Sequence, residues 1–436
     1  MKTKNILKCL VAVCALFVYS CSSDSDGDGG TTPAPGGGGS AITSITVTAS
    51  SNSVEVGNAV TFTVKGNDGT DVTSSSTISI NNADITGSSF TASAPGTYTV
   101  KATYEQLTSV QLFIEVTAGP ITALRVESAT TSIKVGDTAD FTVIGTDALG
   151  NEYTITSDAS LSVNGTAITG NRFMATQMGD LTVVATKDAI TSDDFMVAVT
   201  GETAPGTFAK NALIEDYTGT WCGWCPRVAY AIELVEAQSD RVFVNAVHSG
   251  DPMANSYGAT LDNIYVTSGY PTAVLNRDVD WTYPEPSNVA QATNLATGTT
   301  TSGLSINSLL KGNQLDVYVS TAFAANAPGA KLVVMILEDG IVASQANYTS
   351  YYGAADPISQ FVHNHTLRHS ITNVLGDAIP NIAGGTKNEE VFSIPVPSTV
   401  NNANEMSILA LIVAADGKVL NVNGAHVGVD KDFQAN

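Results

Sequence analysis

The chain says one thing twice. SVEVGNAVTFTVKG, beginning at Ser53, returns as SIKVGDTADFTVIG at Ser132, and ITGSSF from Ile85 with GTYTV from Gly96 returns as ITGNRF from Ile168 with GDLTV from Gly179. Self-similarity at this spacing marks a structural unit made in two copies. The offset grows from 79 to 83 residues between the first pair of matches and the others, which places a short insertion in the second copy around DALGNEYT. Within each copy, stretches such as AVTFTV and TYTVKATY alternate β-branched or aromatic residues with polar ones, and Gly, Asn and Asp clusters separate them. That is the period-2 pattern of half-buried strands, so each copy is expected to be a small all-β sandwich.

The two copies resemble bacterial Ig-like domains, over residues 42–119 and 120–203. Neither has a cysteine pair or a tryptophan to pin its sheets together, so an aliphatic core alone must hold each one. Two roles are open for them: spacing the rest of the protein from a membrane, or binding a ligand through their loops.

The first residues, MKTKNILKCLVAVCALFVYSC, carry three lysines and then an apolar run from Ile6 to Tyr19. This run is too short to span a bilayer as a helix and has the form of a secretory signal, residues 1–20. Val18-Tyr19-Ser20 before Cys21 resembles a bacterial lipoprotein box, which makes Cys21 the expected lipidation site and the membrane the expected partner of that anchor. Simple cleavage after Ser20 is the alternative. Residues 21–41, rich in Gly, Ser, Pro and Asp, have no apolar periodicity and read as a flexible acidic tether. Asp24, Asp26 and Asp28 imitate the start of a calcium loop, but Pro35 stands where a bidentate Glu is required. Acidic residues directly after a lipidated cysteine also resemble the surface-export signal of some Gram-negative lipoproteins. The expected location is the outer membrane, at the cell surface or facing the periplasm.

A formal net charge of −22 over 436 residues, with no basic stripe, repels nucleic acid and excludes it as a partner. No P-loop, G-x-S-x-G or dinucleotide fingerprint occurs in its required context, so no cofactor is expected.

From Ala204 the character changes, as tryptophan appears for the first time and cysteine returns in TGTWCGWCPRVAY. NALIEDY before the motif is a strand candidate, and RVAYAIELVEAQ after it sets Val228, Ala231, Ile232 and Val235 on one helical face. At such a strand-to-helix corner, backbone N–H groups and the helix dipole favour a thiolate at Cys222. That thiolate could attack a disulfide, with Cys225 resolving the product and Arg227 aiding the negative charge. Two other readings stay open, a structural staple and half of a zinc site, although no second C-x-x-C supplies further ligands.

Trp221-Cys222-x-x-Cys225, followed by Tyr265, Gly269, Pro271 and Thr272 in the pattern Y-x-x-x-G-x-P-T, resembles the thioredoxin-like proteins. The resemblance implies an α/β thioredoxin-like domain over 204–302, a cis Pro271, and a buried acid six residues before the first cysteine, the place of Asp216. It also implies a docking surface of Trp221, Trp224, Pro271 and Thr272. More widely, EDYTGTWCGWCPR, NAVHSGDPMA, GYPTAVLNR and FVHNHTLRHSIT make residues 208 to about 425 similar to the lipoproteins related to outer membrane protein 28.

From Gly303 strand patterns return, and a C-terminal β-sandwich over 303–430 is the simplest reading. His363 and His365 would share one face of a strand while His369 breaks the spacing, so histidines satisfied by hydrogen bonds are expected there and no metal. His248 lies near the motif with its role open. The fold class expected is therefore multidomain: two all-β Ig-like sandwiches, a thioredoxin-like domain and a last all-β sandwich. Two functions compete. One is a thiol-disulfide oxidoreductase acting on protein disulfides or thiols outside the cytoplasm, with Cys222, Cys225 and Asp216 as its catalytic groups. The other is a noncatalytic surface binding or adhesion lipoprotein.

Overall fold

In the computed structural model, residues 41–204 and 206–435 are described, so the expected signal peptide, the lipidated Cys21 and all but the end of the tether lie outside the described residues. The described chain forms two units, divided between Thr117 and Ala118.

The first unit is the first repeat. Alternation in Ala59–Gly66 turns Val60, Phe62 and Val64 inward and their polar neighbours outward. A three-stranded sheet (Ile45–Ala49, Ala59–Gly66, Ser89–Thr91) and a six-stranded sheet built around Gly96–Tyr104 enclose this core with Ile78, Val100 and Ile114. The second repeat rebuilds the pattern, with Gly179–Lys187 at the centre of its larger sheet. Its insertion forms an added strand, Glu152–Thr154, paired with Thr142–Asp147. Asp147 closes the connecting turn by accepting from the N–H groups of Leu149 and Asn151 and from the Tyr153 hydroxyl.

Unlike the first copy, the second shares its core with residues far downstream. Leu309 and Tyr318 are buried in the same cluster as Phe141, Val143 and Val183. Gly136, at φ +97°, leaves room for the Tyr318 ring, and a Cβ there would sit 2.5 Å from it. The seam is completed by the Lys134–Asp432 ion pair and by Thr138, whose N–H and Oγ1 both reach Asp430 at 3.1 Å.

The α/β thioredoxin-like domain expected over 204–302 is not found as such, and this corrects the fold class read from the sequence. The described chain is almost all β, with three short helices, α1 (Pro226–Glu236), α2 (Ser256–Tyr265) and α3 (Val289–Thr293). The strands of the segment do not close on themselves. They continue into one nine-stranded mixed sheet: Val279–Asp280, Thr272–Leu275, Ala212–Thr218, Val242–His248, Thr366–Ser370, Lys331–Glu338, Met406–Val413 and Val419–His426 in order, with Asp377–Ala378 beside Lys331–Glu338. The join is made where Ala246 pairs with Thr366 and its N–H donates to the His365 carbonyl at 2.8 Å. Sequence periodicity reports strands but not which distant strand completes a sheet, so an uninterrupted sheet read as two domains.

The far half of this sheet packs on a three-stranded sheet (Ser302–Lys311, Gln314–Phe323, Thr386–Pro395), with Leu304, Ile306, Val317, Val334, Ile336 and Ile408 between the layers. At the near half, Ala212 and Ile214 face α1 and Trp281, while Leu213 and Tyr217 on the opposite face meet Leu261 and Val374. A hairpin, Ile341–Gln345 with Ile358–His363, stands apart as its own two-stranded sheet. Among the described residues no helix is long and apolar enough to cross a membrane.

Candidate functional site

The strand Ala212–Thr218 ends just before Gly219, and α1 begins at Pro226, so the C-x-x-C loop lies at the corner read from the sequence. Cys225 is the N-cap of α1, and Pro226 occupies the first turn, where a missing N–H costs nothing. Cys222 and Cys225 form a disulfide with their Cα atoms 5.4 Å apart.

Both cysteines are buried, and Cys225 lines a cavity behind the loop. Cys222 is 4% exposed and Cys225 2%. The loop that carries them is held by the end of one hairpin arm and the connection after it, more than 120 residues downstream. Gln345 Nε2 donates to the carbonyls of Cys222 (2.9 Å) and Gly219 (3.3 Å), the Ala346 N–H donates to Thr220, and the Tyr348 N–H donates to Gly223 at 2.6 Å. The Tyr348 ring lies so close over Gly223 that a Cβ there would be 2.4 Å from it. Arg227, expected near a thiolate, is committed elsewhere: its Nε donates to Glu285 at 2.6 Å and its guanidinium lies 4.6 Å over the Tyr283 ring.

The docking residues read from the sequence do gather around the corner. Trp221 (49% exposed) donates its indole N–H to the Ser249 carbonyl and stands edge-on to Tyr270, whose bond to Pro271 is cis. Trp224 (51% exposed) stands edge-on to Tyr348. Pro271 and Thr272 are partly buried, and Thr272 Oγ1 donates to the Gly269 carbonyl at 2.6 Å.

Asp216 lines a small cavity of about 70 Å³ between α1, the strand Val242–His248 and the hairpin. Cys225, Glu233, Glu236, His248, Phe361, His363 and His365 also line it. Asp216 is 4% exposed and its Oδ1 has no hydrogen-bond partner. Burial pushes its carboxyl up to about 8; the Glu285 carboxylate adds to the effect and Arg227 opposes it. His363, 5% exposed with Nε2 unpartnered, is pushed down to about 4 by burial and by His248, whose ring centre lies 5.1 Å away. It is therefore neutral at pH 7.

The other ionisable groups of the wall are occupied. His248 Nδ1 meets Asp251 at 2.7 Å, His365 Nε2 meets Glu236 at 2.9 Å, and Tyr352 donates to Glu233 at 2.8 Å. His363 and His365 do not share a strand face, because His365 sits at φ +56° in the turn after the strand; His369 instead meets the Tyr257 hydroxyl at 3.1 Å. Among the described residues no group of three or more His, Cys, Asp or Glu side chains could hold a metal ion. Sequence reasoning missed the part played by Gln345, Tyr348 and Phe361. Nothing local marks them, since they act only through contacts made across the fold.

The family model for outer membrane protein Omp28 matches residues 258–431, short of half the chain and beyond the cysteine pair. With that match, the outer-membrane location read from the sequence stands. No curated protein matches the chain. Among solved structures, HBP35 of Porphyromonas gingivalis is similar at 20% identity and TM-score 0.43, over 53% of this chain and 80% of that one. The Escherichia coli adhesin FdeC is similar at 10% identity and TM-score 0.31, over 88% of this chain and 97% of that one. Domains 5–6 of the S-layer protein SbsC are similar at 19% identity and TM-score 0.17, over 36% of this chain and 98% of that one. These likenesses are too loose to carry an argument about activity.

Proposed function

We propose that the protein is a noncatalytic binding lipoprotein of the outer membrane, displayed at the cell surface through Cys21, in which the C-x-x-C pair is a structural clasp. The observation that carries this reading is the cover over the disulfide. Thiol-disulfide exchange needs in-line approach of a thiolate to an exposed sulfur. Here both cysteines are buried under a segment bound to the loop by four hydrogen bonds from Gln345, Ala346 and Tyr348. The clasp ties the start of α1 to the turn just before it. The aromatic corner of Trp221, Trp224 and Tyr348 and the cavity behind it then serve as recognition surfaces on a rigid support, with the sandwiches ahead of them as spacers.

The test is trapping. In Cys225→Ser full-length protein expressed in its own cell envelope, a working exchange enzyme accumulates mixed disulfides through Cys222; the binding reading expects none. Protease treatment of intact cells checks display, with loss of the protein expected before lysis.

A further inference from the structure

The cavity at Asp216 has a chemical bias. Its wall carries three carboxylic side chains, Asp216, Glu233 and Glu236, and no Lys or Arg. His365 and Tyr352 engage the two glutamates, which leaves Asp216 Oδ1 and His363 Nε2 as buried polar atoms without partners. Buried polar atoms of this kind cost free energy unless a partner arrives, and both belong to side chains that line one cavity, which suits a ligand's hydrogen-bonding end. The remaining wall mixes the apolar Ala229, Ile232, Val244 and Phe361 with the polar Thr218, Gln345 and Asn364.

We propose that this cavity binds a small organic cation, an alkylammonium whose head donates to Asp216 and His363 and whose hydrocarbon stem lies along Ala229, Ile232, Val244 and Phe361. An ammonium has three donors and no acceptor, which suits a carboxylate and a neutral imidazole nitrogen together. Anions are disfavoured by the acidic wall. A metal ion would need a third free ligand, which the described residues do not supply. The cation is also the counter-charge that Asp216 lacks, since Arg227 is held by Glu285.

Binding is therefore coupled to proton release. The charged or titratable groups around Asp216 are Glu233 and Glu236 from α1, His248 from the neighbouring strand, His363 and His365 from the hairpin and its turn, Tyr352 from the connection between its arms, and the Arg227–Glu285 pair. Of these, Asp216 is the one raised to about 8, so affinity falls as pH drops below that value, by ~10-fold per unit at the limit.

This inference rests on the reading of the protein as a binder, and calorimetric titration of the full chain tests it separately from disulfide trapping. Hexylamine, 1-hexanol, hexanoate and Zn²⁺ are the probes. At pH 8.5 hexylamine is expected to bind at least ~10-fold tighter than the alcohol or the acid, with ~20-fold weakening at pH 6.5. Asp216→Asn is expected to abolish the preference for the amine. Ala229→Phe, on the partly exposed side of α1, is expected to block binding by filling the cavity with Asp216 intact. Equal binding of all three hexyl compounds, binding unchanged in both variants, no hexylamine binding at millimolar concentration, or tight Zn²⁺ binding lost in Asp216→Asn would each overturn the proposal. Mixed disulfides in the trapping experiment would instead remove the noncatalytic reading and leave the cavity's preference measured.

Discussion

Glu215 and Asp216 are neighbours on one strand, both buried and both acidic, yet the two faces of the strand treat them in opposite ways. Glu215 has an answer for its charge: Arg277 donates to both carboxylate oxygens at 2.9 and 3.1 Å, and the Tyr217 hydroxyl and the Asn245 amide add two more hydrogen bonds. Asp216 has none, and burial keeps it protonated at neutral pH. A buried acid with a complete set of partners is structural. One left incomplete beside an open cavity keeps its capacity for a partner from outside.

The sharpest way to break this contrast is to strip the satisfied face. Arg277→Met should destabilise the second unit by ~3–5 kcal/mol, because it leaves Glu215 charged and buried without its counter-ion, and Glu215→Leu with Arg277→Met should recover most of that loss. Urea unfolding followed by tryptophan fluorescence reads this unit alone, since Trp221, Trp224 and Trp281 all lie in it.

The unsatisfied face should respond in the other direction. A carboxyl whose folded pKa lies above its unfolded one holds its proton more tightly in the native chain, so its contribution is full below pH 3.8 and is lost as pH rises to about 8. Asp216→Asn should remove that slope and gain ~2 kcal/mol or more on the wild type between pH 4 and pH 8, read as the pH dependence of the difference in unfolding free energy. Replacing both cysteines by alanine should cost ~2 kcal/mol, the small value of a short loop, and leave hexylamine binding in place. The smallest effect is expected from Tyr348→Ala, within ~1 kcal/mol because the ring is mostly exposed. The same change should speed reduction of the disulfide by a small thiol, because it opens the cover over Gly223.

How much of this could be read from residues alone follows the range of the contacts. The repeats, the alternation of AVTFTVKG and the strand-to-helix corner at the cysteines are local patterns, and the structure has strands and α1 at those places. The burial of Asp216 is what the thioredoxin-like resemblance implies, whereas parity alone would not bury both faces of ALIEDYT. The cover did not show itself, because Gln345 and Tyr348 look like ordinary loop residues until the hairpin folds back across the sheet. The meeting of His248 with His363, and of Ala246 with Thr366, joins strands more than 110 residues apart in sequence. That single join turns what reads as two domains into one sheet, and it also brings the hairpin onto the disulfide and closes the cavity on Asp216.

The seam at Tyr318 and Gly136 carries a consequence for how such a protein can change its length over time. Duplicating the first repeat would add a module whose core closes on itself. Inserting one after the second repeat would part Phe141 and Val143 from Tyr318 and Leu309 and leave apolar surface open on both sides. Copies can therefore be added before the first repeat without opening a core, while the copy next to the sheet is committed to staying where it is.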